Sequence, residues 1–197
     1  MPRFSKAELQ AFRDAVVPDL LPPPGPNGDS PLRLLFVGIN PGLWTAATQT
    51  HFAHPVNRFY PALLRAGIIE RRIDPAAGMD DDDRRHLLER GLGITNLARR
   101  ATARADELSD AELREGGEAL VALVERTRPR VVAVAGITAF RTAFGRRRAV
   151  LGRQDETLGG AELWVVPNPS GLNAHETVDS LATAYAAPAR AAGVLPG

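Results

Sequence analysis

A chain of 197 residues, 44% hydrophobic and 24% charged, has an ordinary globular composition and enough length to bury a two- or three-layer core. Its formal charge of +1 gives no overall pull toward nucleic acid, so any basic surface must come from local clustering. The lack of cysteine excludes disulfides, thiolate nucleophiles and cysteine-ligated zinc or iron–sulfur centres.

The opening "MPRFSKAELQAF" has no apolar signal-peptide core, and no stretch reaches transmembrane length. The expectation is a soluble, cytoplasmic protein. "SKAELQAFRDAVV" has helical spacing that puts Leu9, Phe12 and Val16 on one stripe. It runs into "LPPPGPNGDSP", a Pro/Gly connector that cannot be regular structure. "LRLLFV" is too short for a typical helix and too apolar for a half-exposed strand, so it reads as a buried strand. "NRFYPALLRAG" is a helix with Pro61 in its first turn and Gly67 at its end. "DDDDRR", from Asp80, reads as a solvated helix start. "SDAELREGGEALVALVERT" opens with a capping box, Ser109 and Glu112, and carries an apolar stripe. "RVVAVAG" is a second apolar strand with the short helix "ITAFRTAFG" behind it, and "ELWVVP" is a third. A final helix starts near Glu176. Continuous apolar strands separated by helices predict an α/β fold, a three-layer α/β/α sandwich around a mainly parallel sheet. The strands starting near Leu32, Arg130 and Glu162 should be mutually parallel. A single domain is expected over 1–197: an N-terminal helix and connector over 1–30, and the core over 31–197.

In such sheets ligands sit beyond the carboxyl ends of the strands. Three segments meet that edge: "GINPGL" after the first strand, "GIT" after the second and "NPSGLN" after the third. None is a GxGxxG, a P-loop or a GxSxG elbow. Gly, Asn and Pro are turn formers, which is the plainer reading of any one of these loops.

"GINPGL", "FAHPVNRFYPALLRAG", "GITNLARRATARADELS" and "NPSGLN", in that order from about Leu32 to about Tyr185, resemble the mismatch-specific uracil-DNA and thymine-DNA glycosylases of the uracil-DNA glycosylase superfamily. Other branches carry an acidic residue in the first loop, and some an iron–sulfur cluster. Asn40 and the lack of cysteine point to the mismatch branch. The resemblance implies a monofunctional glycosylase that flips a mismatched base, attacks the sugar C1′ with water and starts base excision repair. Its substrate would be uracil, or thymine or etheno-cytosine, opposite guanine. It also implies a uracil-DNA glycosylase-like fold, no cofactor, no metal, and a monomer acting on double-stranded DNA with a mismatched or damaged pyrimidine, among the nucleoid.

On this resemblance Asn40 is the catalytic residue. Its amide oxygen can accept a hydrogen bond from water but cannot take a proton, so it would orient the nucleophile. Ile39, Phe52 and Asn168 would bind the base, Phe52 by stacking and the backbone around Ile39 by reading the polar edge. Ser170, Gly171 and Leu172 would contact DNA, Ser170 a phosphate and Leu172 as the wedge that fills the vacated stack. The plainer readings are a core phenylalanine for Phe52 and a helix-start staple for Leu172. Ala174 stands where the bacterial pattern often has arginine, and Trp44, bulky where the family is often small, is expected to narrow the pocket mouth. Asp106 and Glu107 could hold a carboxylate near the site, or merely precede the Ser109 cap. Arg99, Arg100 and Arg104, and Arg146 to Arg148, are the basic clusters that could meet phosphates. Two other functions remain open: a metal-dependent hydrolase using His51 and His54, which lack a third ligand nearby in sequence, and a non-catalytic binder of mismatched DNA.

Overall fold

The structure is a computed structural model that describes residues 4–25 and 30–197. Part of the Pro/Gly connector, residues 26–29, therefore lies outside the described residues, as do residues 1–3.

The first helix, α1 (Lys6–Gln10), starts on a Ser5–Glu8 capping box and is much shorter than its sequence period suggests. The chain turns over 11–14, and Asp14 takes a left-handed φ of 63°. There its N–H reaches the Ala101 carbonyl at 2.9 Å. The expected stripe breaks at this point: Leu9 and Phe12 pack on a small cluster with Val17, while Val16 is 54% exposed and bridges Arg100. Pairing with a distant loop overrides the helical period.

Next come β1 (Leu34–Gly38), α2 (Leu43–Thr48), α3 (Phe59–Arg65), α4 (Asp81–Glu89), β2 (Leu92–Asn96) and α5 (Asp110–Thr127). They are followed by β3 (Val131–Ala135), α6 (Ile137–Ala143), β4 (Gly152–Leu158), β5 (Ala161–Val166) and α7 (Val178–Ala191). The sheet order is β2-β1-β3-β5-β4. β1 is parallel to β2 and β3, and β3 to β5, as expected for the three apolar strands. β4, absent from the sequence reading, runs antiparallel to β5 across a Gly159–Gly160 turn whose φ values, 53° and 88°, suit glycine. α7 starts two residues later than expected, on a Thr177–Ser180 capping box. α4 is capped by Asp80, and α5 by Ser109 with Glu112, as their sequences indicate.

Alternate residues of β1 face opposite layers, which is why the run is apolar throughout. Leu34 and Phe36 join Phe59, Leu63, Leu87 and Tyr185 from α3, α4 and α7. Leu35 and Val37 join Leu120, Val124 and Phe140 from α5 and α6. The N-terminal arm covers the outer edge of β2: Leu20 and Ile94 exchange N–H···O bonds of 2.9 and 2.8 Å. The three-layer sandwich thus brings the carboxyl ends of β1, β2, β3 and β5 to one rim.

Candidate functional site

The turn after β1 is laced to the loop after β2. Gly38, Ile39 and Pro41 carbonyls accept N–H bonds from Leu97, Ala98 and Thr102 at 2.9, 2.8 and 3.1 Å. Half-buried Asn40 donates its Nδ2 hydrogens to the Pro41 carbonyl at 2.9 Å and to Thr102 Oγ1 at 2.7 Å. The Thr102 hydroxyl has one proton, given to the Arg104 carbonyl at 2.7 Å, so toward Asn40 it can only accept. A flipped amide would set Oδ1 against the Pro41 oxygen and a hydroxyl lone pair. Both amide hydrogens are therefore committed, and Oδ1 is the side-chain acceptor that Asn40 offers.

Phe52 has φ 55°, a strained value for an aromatic residue, of the kind that clusters at functional sites. Its ring stacks on buried Phe59 at 4.1 Å between centroids, with 25° between planes. Glycine at the last residue of β1 leaves room for two side chains. A Cβ on Gly38 would fall 2.4 Å from Asn96 Oδ1 and 3.2 Å from the Phe52 ring. Asn96, at the end of β2, thus places its amide oxygen beside the aromatic ring.

His51 sets that amide. Its Nε2 lies 3.0 Å from the Pro18 carbonyl and its Nδ1 3.2 Å from Asn96 Nδ2. A carbonyl only accepts, so Nε2 carries the proton, Nδ1 accepts, and Asn96 must present nitrogen to it. The ring is buried, which pushes its pKa below the ordinary value, the Pro18 bond only partly opposing this. His51 also holds Tyr60, whose hydroxyl donates to the His51 carbonyl at 3.1 Å. Both ring nitrogens serve protein partners, so a metal shared with His54 would have to break those bonds. His54 accepts from the Val56 N–H at 3.4 Å and sits edge-on to Trp44. Among the described residues no group of three or more His, Cys, Asp or Glu could hold a metal ion. Trp44 donates its indole N–H to the Ala76 carbonyl at 3.0 Å and packs against Phe4.

The loop after β5 closes the rim. Asn168 Oδ1 accepts the Ser170 N–H at 3.0 Å, leaving its Nδ2 as donor, and its carbonyl accepts Asn173 Nδ2 at 3.1 Å. Gly136, with φ 125°, lets the loops approach: a Cβ there would lie 3.2 Å from Ile39 Cδ1 and 3.9 Å from Asn168 Cβ. Ser170 Oγ accepts the Leu172 N–H, and Leu172 is 87% exposed. Ala174 is also exposed. Gly171 packs so closely on Val56 that a Cβ would fall 2.8 Å from the Val56 carbonyl oxygen.

Ile39, Asn40, Phe52 and Asn168 therefore sit on neighbouring loops of one rim, with Ser170, Gly171 and Leu172 beside them. The acidic pair is engaged by arginines. Glu107 pairs with Arg13 at 2.6 Å, and Asp106 with Arg104. Arg99 and Arg100 pair with Asp19, and with Asp14 and Glu112, so that cluster is largely neutralised by its own acids. Arg146 pairs with Glu156, and Arg147 and Arg148 are exposed beyond α6. Thr102, Asn96 and His51's wiring escaped the sequence reading; their polarity was visible, but not their partners.

No described helix is long and apolar enough to cross a membrane. A sequence model of the Uracil DNA glycosylase superfamily matches residues 26–187, a span that holds every rim loop described above. The chain thus belongs to the uracil-DNA glycosylase superfamily: it is a DNA glycosylase, a DNA-binding hydrolase of base excision repair.

Proposed function

We propose that the chain is a monofunctional, monomeric glycosylase of the mismatch-specific branch that removes uracil, and more slowly thymine or etheno-cytosine, opposite guanine in duplex DNA. The observation that carries this is the fixed Asn40 amide, with both hydrogens committed and Oδ1 left to accept. A mismatched pyrimidine is the cheapest to extrude, because less pairing is lost. The flipped base stacks on Phe52, which Phe59 backs from behind. Asn96 Oδ1 accepts the N3–H of uracil or thymine, whereas N3 of cytosine is itself an acceptor and is repelled; etheno-cytosine, which has no N3–H, forgoes this bond. Asn168 Nδ2 donates to a base carbonyl, the backbone around Ile39 reads the polar edge of the base, Ser170 and Gly171 meet the DNA backbone, and Leu172 fills the gap.

A water held by Asn40 Oδ1 then attacks C1′ as the bond to N1 breaks. The bonding pair leaves with the base as an anion, and the water proton passes to solvent, because an amide cannot keep it. The single lysine, Lys6, lies in α1 and not in a rim loop. No amine attacks the sugar on this reading, and the product is an abasic site with the strand intact.

The test is single-turnover release of uracil from a U·G duplex by the parent and Asn40→Ala. The variant should bind the duplex but excise about 10²- to 10³-fold more slowly. Equal rates would show that Asn40 is only a turn residue. Activity abolished by a chelator would favour the metal-dependent reading, and tight mismatch binding without free base the silent binder.

A further inference from the structure

One side chain joins the loop that bears Phe52 to the loop that bears Leu172. Arg58 is the N-cap residue of α3, and its backbone N–H donates to the Pro169 carbonyl at 3.0 Å. Its Nη1 donates to the Asn173 carbonyl at 2.9 Å, and Nη2 reaches the Gly171 carbonyl at 3.5 Å. These two carbonyls flank Leu172. Among the described residues Arg58 forms no ion pair, unlike Arg99, Arg100, Arg104 and Arg146. Its half-buried fork is committed to main chain. Below it, Val56 supports Gly171 in direct contact. Leu172 itself, 87% exposed, has almost no packing to hold it.

From this geometry we infer that Arg58 is a positioning residue for insertion of Leu172, an inference that rests on reading residues 170–172 as the inserting loop. A leucine that enters a base stack must push against it. A loop free to yield would lose part of that push to its own disorder. The guanidinium fork fixes the backbone on both sides of Leu172 before DNA arrives, and α3 anchors the fork to the core through Phe59 and Leu63. Arg58 therefore acts on base extrusion and not on bond cleavage.

The experiment separates those steps. Full-length parent, Arg58→Gln, Arg58→Lys and Leu172→Ala are compared in single turnover on two duplexes. One carries U·G. The other carries a bulky aromatic hydrocarbon nucleotide opposite uracil, which expels the uracil without help from the protein. Arg58→Gln should be about 10- to 100-fold slower on U·G, since charge-assisted bonds on both sides of the wedge are lost. On the second duplex it should return to within about threefold of the parent, as should Leu172→Ala. Arg58→Lys, which keeps one donor to Asn173, should fall between parent and Arg58→Gln on U·G. The double variant should be no slower than the worse single, because both changes remove one event. Equal deficits on both duplexes, no deficit on either, or additive losses in the double variant would overturn the inference. If Arg58→Gln fails to fold, Arg58→Lys carries the same comparison. A parent that releases uracil from neither duplex would instead overturn the proposed function.

Discussion

Replacing Thr102 with valine exchanges one oxygen for a methyl group and keeps the branched shape. The hydroxyl accepts from Asn40 and donates to the Arg104 carbonyl, both at 2.7 Å, in a residue only 1% exposed. Valine would remove one of the two donors to that carbonyl, which keeps the Glu107 N–H at 3.3 Å, so the cost to stability is that of an ordinary hydrogen bond, about 0.5–1.5 kcal/mol. It would also leave the Asn40 amide held by the Pro41 carbonyl alone. Losing a hydrogen bond worth about 1 kcal/mol frees roughly a fivefold excess of wrong orientations, and an ångström of drift can cost about 10²-fold. The expected fall in single-turnover uracil release is therefore about 5- to 100-fold, smaller than for Asn40→Ala. Urea unfolding alongside separates the two effects, and Thr102→Ser should retain both stability and rate to within a few-fold. A folded Thr102→Val enzyme at the parental rate, or a serine variant as damaged as valine, would refute the reasoning.

Phe52→Ala should weaken binding of the flipped base by about 1–3 kcal/mol, the usual worth of base–aromatic stacking, read as a raised KM on U·G duplex. Phe52→Gly should be more stable than Phe52→Ala by up to about 1 kcal/mol, because φ 55° suits glycine, and equal unfolding midpoints would argue against strain there. His51 gives a pH dependence: its pKa is pushed below 6.5 by burial, so the unfolded chain takes up a proton before the folded one does. Stability should therefore be lost as pH falls below about 6.5 and be insensitive to this group above it, with His51→Gln reducing the slope; a midpoint unchanged down to about pH 5 would contradict the buried neutral ring.

The sheet's interior was legible because strands covered on both faces must be apolar at every position. β1, β3 and β5 announce themselves this way. β2 does not: "LGITN" contains Gly93, which is small because a Cβ would press on Leu32 and Leu21, and Thr95, whose hydroxyl donates to Asp19 at 2.7 Å. β4 is an exposed edge strand, "GRQDETL", with no apolar run to betray it. α1 was over-read because a helical period cannot reveal that residues 14–16 pair with residues 100 and 101. At the rim, Asn40, Phe52 and Asn168 stood out through the turn chemistry around them. Thr102 and Asn96 did not, since their meaning lies in partners 62 and 45 positions away.

The superfamily match starts at residue 26, yet the arm before it is bonded into the sheet. β2 has β1 on one side only, so its other edge is a row of unpaired amide groups unless something covers it. Leu20 occupies that edge at Ile94, Pro18 accepts the His51 proton, and Asp19 caps Thr95. A chain trimmed to the matched segment would uncover a hydrogen-bonding template that a second molecule could extend, strand against strand. The arm therefore completes the edge of the sheet at Ile94, and the boundary drawn by homology is not the boundary at which this sheet is finished.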